Sequence, residues 1–328
     1  MPKVTGEALD ATIHDVAETA GVSASTVSRA FGHPEKVAAK TLDRIRRAAH
    51  KVGYEPARRH IGDSKSGNGI VRMGVLLPDI NNPFFVEVVE GIQASTPTES
   101  RVLLADFEED EDKERLVIES LRQVSDRLIL CSPRIPDEQI QEISKDTPIV
   151  VVNRSVPDVS CVGFDNAEVI RKAVLHLRAM GHERIGFCGG PVASHSAMER
   201  LEAFKESVRD DFDDLYIGEF PPTFSGGREA ADAALNADVT AVIAYNDLVG
   251  VGIMKRMNTY GLNVPARLSI VGIDGIPLGE IVTPGLTTVS LPRVEAGKAA
   301  IKALWEEKRE HISLPSSLIV RESTVRRS

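Results

Sequence analysis

Residues 12–31, TIHDVAETAGVSASTVSRAF, present short hydroxyls and one long cation at positions that a helix would turn outward: Ser25, Thr26, Ser28 and Arg29. Hydroxyls suit phosphate oxygens, which fix register, whereas a guanidinium reaches base edges, which carry sequence information. Arg29 is the candidate for a bidentate contact to guanine, worth about 1–3 kcal/mol of discrimination. Thr12 and Ser23, the cap residues of the same run, are counted with these as DNA-contact candidates. Arg44, Arg46, Arg47 and Lys51 add cations suited to nonspecific backbone affinity. The same pattern is also compatible with a plain three-helix bundle whose basic face is merely solvated.

Three helices must position those side chains. Thr12 followed by Asp15 is a capping-box variant, and Ile13, Val16, Ala17 and Ala20 form one apolar stripe behind it. Gly21 permits the sharp turn, and Ser23 caps a second helix in which Val27 and Ala30 face inward. A third helix, about 41–52, packs Leu42, Ile45 and Ala49 against the pair. This predicts a helix-turn-helix, whose second helix fits the major groove.

Charge is distributed to match. Residues 1–62 hold ten Lys/Arg against seven Asp/Glu, a balance of +3, while the remainder carries −12 of the chain's net −9. The basic start is the nucleic-acid side and the acidic body is not. With 328 residues, 42% apolar and 27% charged, the chain has the composition of a multidomain globular protein and not of a disordered one. Cys131, Cys161 and Cys188 lack CxxC spacing and sit in or beside apolar runs, which predicts reduced core residues and a cytoplasmic location. The start lacks the apolar block of a secretory signal, and no 18-residue apolar stretch exists, so no membrane role is expected.

From 57 to 72 the sequence ARRHIGDSKSGNGIVR has linker chemistry. Beyond it, the runs 73–77, 101–106, 128–131, 149–152, 185–188, 241–244 and 269–273 predict strands buried on both faces. Amphipathic segments 84–94, 112–124, 167–180, 226–235 and 247–260 alternate with them, with Gly181 and Gly261 as end caps. Residues 209–222 read as a solvated surface loop with a short strand. The pattern is βαβ, and its length predicts two doubly wound subdomains with a cleft where the strands' carboxyl ends meet.

The run from Thr12 to Pro56, with VAAKTLDRIRRAAHKVGYEP completing it, resembles the DNA-binding head of the lactose/galactose repressor family (LacI/GalR). LPDINNPFF (77–85), VVNR (151–154), FDNAE (164–168), HLRAMGHERIGFCGGP (176–191), AYNDLVGVG (244–252) and VPARLSIVGIDG (264–275) are similar to successive landmarks of that family, so the resemblance covers nearly the whole chain. It implies an all-α helix-turn-helix head on a periplasmic-binding-protein-like α/β body. The expected divisions are a DNA-binding domain at 1–56, a hinge at 57–72 and an effector and dimerisation domain at 73–328. Within the last, the N-subdomain is about 73–160 and 291–317 and the C-subdomain about 161–290 and 318–328. The implied partners are a pseudo-palindromic double-stranded operator, a second copy of the chain, and a small polar effector such as a sugar, polyol, sugar acid or nucleoside. No cofactor or metal is implied.

Matched to the family, Asp79, Phe84, Phe85, Arg154, Arg200, Asn246 and Asp274 are the effector-contact candidates. A guanidinium fork at Arg200 suits a hydroxyl or carboxylate, and a carboxylate plus amide at Asp274 and Asn246 suits vicinal hydroxyls. Other readings compete: Phe84 and Phe85 as core, Asn246 as a helix cap, and Arg154 as the partner of Asp165. His14, His176 and His182 lack metal spacing. The sequence departs from the family in four places, the first being Ala24 and Ser25 at the start of the recognition helix, where longer side chains often read bases. LPR at 291–293 replaces the usual Gln-Pro, Pro97 falls where the first body helix should continue, and Gly62 and Asp63 occupy the hinge where a Leu wedge is expected. Ile61 is the substitute wedge, with Arg58 and Arg59 available for phosphate or a narrow minor groove.

The expected function is a sequence-specific transcriptional regulator, by default a repressor, controlled by that effector. Two alternatives stand beside it: a nucleoid-associated DNA-binding protein without effector control, and a ligand-binding receptor. No GxGxxG after a strand, GxxxxGK[ST], GxSxG or HExxH is present, so no catalytic residues are assigned and the chain is not expected to be an enzyme.

Overall fold

Helix-forming segments with one small-residue stripe cannot bury that stripe alone, and the first three pack on one another. The computed structural model describes residues 12–32, 37–52, 70–208, 215–306 and 308–327. In the head, α1 (Ile13–Ala20), α2 (Ala24–Gly32) and α3 (Ala39–Val52) enclose Val16, Ala17, Ala20, Val27, Ala30, Ile45, Ala48 and Ala49. Thr12 donates through its backbone N–H (2.6 Å) and its hydroxyl (2.7 Å) to Asp15. Gly21, at φ 60°, makes the left-handed turn between the first two helices. Head and body are separate compact units.

The body holds two six-stranded sheets among the described residues. Numbering strands along the chain, the first contains β1 (Val71–Leu77), β2 (Ser100–Asp106), β3 (Arg127–Cys131), β4 (Ile149–Val152), β5 (Ser160–Phe164) and β11 (His311–Leu314), in the order β11-β5-β4-β3-β1-β2 and all parallel. The second contains β6 (Ile185–Gly189), β7 (Tyr216–Glu219), β8 (Ala241–Ala244), β9 (Ser269–Asp274), β10 (Thr287–Ser290) and β12 (Ser317–Ile319), in the order β12-β10-β9-β8-β6-β7, with only β12 antiparallel. The fold is therefore the expected one: two doubly wound α/β halves.

Helices α4 (Pro83–Ser95), α5 (Glu111–Val124) and α6 (Asp137–Asp146) belong to the first half. The second has α7 (Asn166–Ala179), α8 (His195–Val208), α9 (Phe224–Asn236), α10 (Asp247–Thr259) and the short α11 (Leu278–Ile281). The last helix, α12 (Arg293–Trp305), returns to pack on α4. The chain thus crosses between halves three times: after β5, after β10 and after β11. Because β5 pairs with β4, the first crossing falls after Phe164, where the sequence reading put it near residue 160. α4 stops at Ser95, and Thr96, the residue before Pro97, is extended, as the proline ring demands.

Four strands escaped the sequence reading: β5, β10, β11 and β12. SCVGF, TTVS, HISL and SLI are too short to show a pattern, and in TTVS Thr287 and Thr288 are fully buried by pairing and side-chain hydrogen bonds rather than by apolar character. Helices α6, α8 and α12 also went unassigned. The hinge candidates Arg58, Arg59 and Ile61 lie outside the described residues, as do 209–214 of the connection before β7.

Candidate functional site

On the head, Ser28 and Arg29 are exposed on α2, on the side opposite buried Val27 and Ala30. Ser23 behaves as a cap: its Oγ accepts from the Thr26 backbone N–H at 3.2 Å and lies 2.8 Å from both Ser25 Oγ and Thr26 Oγ1. Ser23, Ser25 and Thr26 are thus a hydroxyl cluster at the helix start, ordered by one another before any outside contact. Thr12 is committed to Asp15, whose carboxyl is held below the usual carboxylate range by those bonds. Arg44, Arg46 and Lys51 stay exposed on α3, while Arg47 pairs with Asp43 one turn away.

In the body, parallel strands bring their carboxyl ends to one edge of each sheet, and the two edges face each other. Pro78 follows β1, Ser132 and Arg134 follow β3, Asn153 follows β4, Tyr245 follows β8 and Asp274 ends β9, and all line one cleft together with Arg200 of α8. The cavity between these residues is about 30 Å³, room for a water or two.

Arg200 is 2% exposed. Its Nε donates to Asn166 Oδ1 at 2.8 Å, its Nη1 donates to the Tyr245 carbonyl at 2.7 Å, and the guanidinium sits 5.1 Å from the Tyr245 ring centre. Burial pushes the Asp274 carboxyl up to about 8, against the pull of Arg200 and with the help of neighbouring Asp247. Asp274 also has φ 117°, a backbone conformation costing on the order of 1–3 kcal/mol that persists only where surroundings impose it. Asp247 accepts from Thr288 Oγ1 (2.6 Å) and the Ile276 N–H (2.8 Å). Its own burial raises its carboxyl to about 7.

The remaining candidates divide. Phe84 and Phe85 are both core and wall: they pack edge to face at 5.0 Å, belong to the main core and line the cleft. Asn246 lines the cleft but spends its amide locally, accepting from Val249 N–H at 2.9 Å to cap α10 and donating to the Pro222 carbonyl at 3.0 Å. Asp79 is not on the wall; its carboxylate closes a turn by accepting from the Asn81 backbone N–H at 2.8 Å. Arg154 does not pair with Asp165, which instead caps α7. It pairs with Asp137 at 2.5 Å and donates to the carbonyls of Pro133 (2.7 Å) and Ile135 (2.8 Å), beside a separate cavity of about 180 Å³. Leu291, where the family usually has Gln, is buried and apolar.

The sequence reading placed Asn153 at the end of a cleft strand but missed Tyr245, Ser194, Ser196 and Arg134 of the wall. Tyr245 Oη lies 3.1 Å from Ser194 Oγ and 3.2 Å from Ser196 Oγ, a buried hydroxyl cluster. Arg134 pairs with Glu109 yet keeps its buried Nε unpartnered, and Asn153 Oδ1 is buried without a partner. Orphaned polar atoms facing a cleft are what a bound polar molecule would satisfy. Outside them, Val192, Phe220, Pro221 and Pro222 line an open mouth of about 430 Å³. Most of these residues follow closely on a strand's carboxyl end, which was the available signal. Among the described residues, no cluster of His, Cys, Asp and Glu is placed to hold a metal, and no helix is long and apolar enough to cross a membrane.

Comparison with known proteins agrees with both units. Residues 12–57 match the model of bacterial regulatory proteins, lacI family, and residues 174–324 match that of a periplasmic binding protein-like domain. The HTH-type transcriptional repressor CytR of Escherichia coli (strain K12) is 33% identical over 330 residues, covering 97% of this chain and 96% of the relative. The ribose operon repressor of Halalkalibacterium halodurans is 31% identical, covering 95% and 97%. Among solved structures, the transcriptional regulator CelR–cellobiose complex superposes with TM-score 0.69 at 27% identity, covering 96% of this chain and 100% of that one. A head of this surface, a body of this topology and full-length likeness to repressors have one joint meaning: the chain belongs to the lacI family of bacterial regulatory proteins and is a DNA-binding transcriptional repressor.

Proposed function

We propose that a small polar, polyhydroxylated effector bound between the two halves of the body controls operator affinity. The observation that supports it is the cleft: Arg200 and Asp274 face each other, the hydroxyls of Tyr245, Ser194 and Ser196 cluster on the same wall, and Phe84 and Phe85 supply an apolar surface for a ring. Donors and acceptors interleaved with aromatic faces suit a sugar, polyol, sugar acid or nucleoside. That a relative was solved with cellobiose favours the sugar end of this range.

In this reading the protein is a homodimer on a pseudo-palindrome. Ser28 and Arg29 of each head read the major groove, Ser25 and Thr26 border it, and Thr12 and Ser23 hold the helix starts near phosphate. The stretch between the head and β1, which holds Arg58, Arg59 and Ile61, is the hinge at the operator centre. An effector that favours one orientation of the halves shifts operator affinity, and operator binding shifts effector affinity by the same factor, typically 1–3 kcal/mol of coupling.

A thermal-shift screen of the full chain with ribose, cellobiose, inositol, gluconate and adenosine, followed by gel-shift titration on the DNA upstream of its own gene, tests this. The expected result is one class that raises the melting temperature and changes DNA affinity. Stabilisation with no change in DNA affinity, or no stabilisation by any class, counts against the reading.

A further inference from the structure

At the second crossing, Arg293 opens α12 with its side chain only 10% exposed. Its guanidinium donates to the carbonyls of Leu291 (2.8 Å), Gly275 (2.8 Å) and Asp274. It also binds Glu87 Oε2, through Nε at 3.0 Å and Nη2 at 2.9 Å. These partners come from different parts of the body. Asp274 ends β9 and Gly275 follows it in the second half, Glu87 sits on α4 in the first half, and Leu291 belongs to the connection between them.

Two successive positive φ values, 117° at Asp274 and 76° at Gly275, bring both carbonyls to the same guanidinium. Glu87 Oε1 is buried with no hydrogen-bond partner, so this carboxylate depends on Arg293 for its charge compensation. Because α12 packs on α4, Arg293 and Glu87 stay together when the halves part, and what parting takes away is the pair of carbonyl acceptors on Asp274 and Gly275, leaving a largely buried guanidinium short of partners. Only a planar fork reaches three carbonyls and a carboxylate together; an ammonium has the charge but not the geometry.

We propose that Arg293 is a positioning residue that latches the two halves of the body, its guanidinium holding the strained end of β9, and with it Asp274, against Glu87 of the opposite half. The latch involves the protein alone. It stands or falls independently of whether any metabolite is the effector.

The experiment measures closure without ligand in the full chain. Glu111 and Val192, on opposite lips of the mouth, are replaced by cysteine and spin-labelled; Cys131, Cys161 and Cys188 are buried and stay unlabelled. The labelled chain is diluted with unlabelled protein so that dipolar spectroscopy reads the distance within one chain. With the native latch the expected distribution is single and short. Arg293→Ala shifts it to longer, broader distances, Glu87→Gln shifts it in the same direction, and Arg293→Lys, keeping charge without the fork, falls between native and Arg293→Ala. Should Arg293→Ala fail to fold, Glu87→Gln, which alters only a charge, decides. An unchanged distribution in Glu87→Gln and in every folded Arg293 variant overturns the latch. So does full restoration by lysine, which would reduce Arg293 to a generic charge.

Discussion

Nη2 of Arg200 lies 3.9 Å from Oδ1 of Asp274, with the two side chains 3% and 8% exposed. That separation is too long for a hydrogen bond. A hydroxyl seated beside the pair, not between its atoms, reaches both, accepting from the guanidinium and donating to the carboxyl. A direct bidentate pair would have closed the site to such a ligand.

Asp274 should therefore be needed for ligand and dispensable for folding. An effector at about 100 times its Kd stabilises by about 2.7 kcal/mol. In Asp274→Ala, a ligand found to raise the native melting temperature should no longer do so, while DNA binding without ligand persists. A ligand-dependent shift of native size in that variant would remove Asp274 from the site.

Burial raises the carboxyls of Asp274 to about 8 and of Asp247 to about 7, from an ordinary 3.8. Between about pH 4 and 8 the native body therefore holds protons that the unfolded chain has released, so stability falls as pH rises through that window. Asp274→Asn, which cannot ionise, should flatten the fall in urea midpoint measured from pH 5 to pH 8. Identical slopes in the two proteins would show that Asp274 is ionised throughout.

Arg29 is exposed on α2 and has no packing role behind it. Arg29→Ala should cost about 1–3 kcal/mol of preference for operator over a scrambled duplex of equal length. Its melting temperature should not move. Competition gel shifts at fixed salt give the ratio, and an unchanged ratio would assign sequence readout elsewhere.

Helices α4 and α12 touch backbone to backbone. A Cβ added at Gly91 would lie 2.0 Å from the Val294 carbonyl oxygen, with Gly297 packed alongside. Gly91→Ala should destabilise the body by about 1–3 kcal/mol in urea unfolding, because close-packed helices must separate to admit a methyl group. A neutral substitution would mean that this contact is looser than its geometry.

Much of this protein was legible locally. Val16, Ala17, Ala20, Val27 and Ile45 recur at helical spacing, and 73–77, 128–131, 149–152 and 241–244 are unbroken apolar runs, so the head and the seven principal strands followed from patterns a few residues long. Arg200 and Asp274 were legible through resemblance. What tertiary structure alone decided was the choice among readings the sequence left open: Arg154 with Asp137 rather than Asp165, Asp79 with its own turn rather than the cleft, and Asn246 as both cap of α10 and part of the wall. It also decided the short strands β5, β10, β11 and β12, three to five residues each and too short to show a pattern, and the meeting of Arg293 with Glu87, 206 positions away. Periodicity reflects which face of one element must avoid water. Which buried charge meets which acceptor depends on how whole elements close against one another, and no short stretch of sequence contains that information.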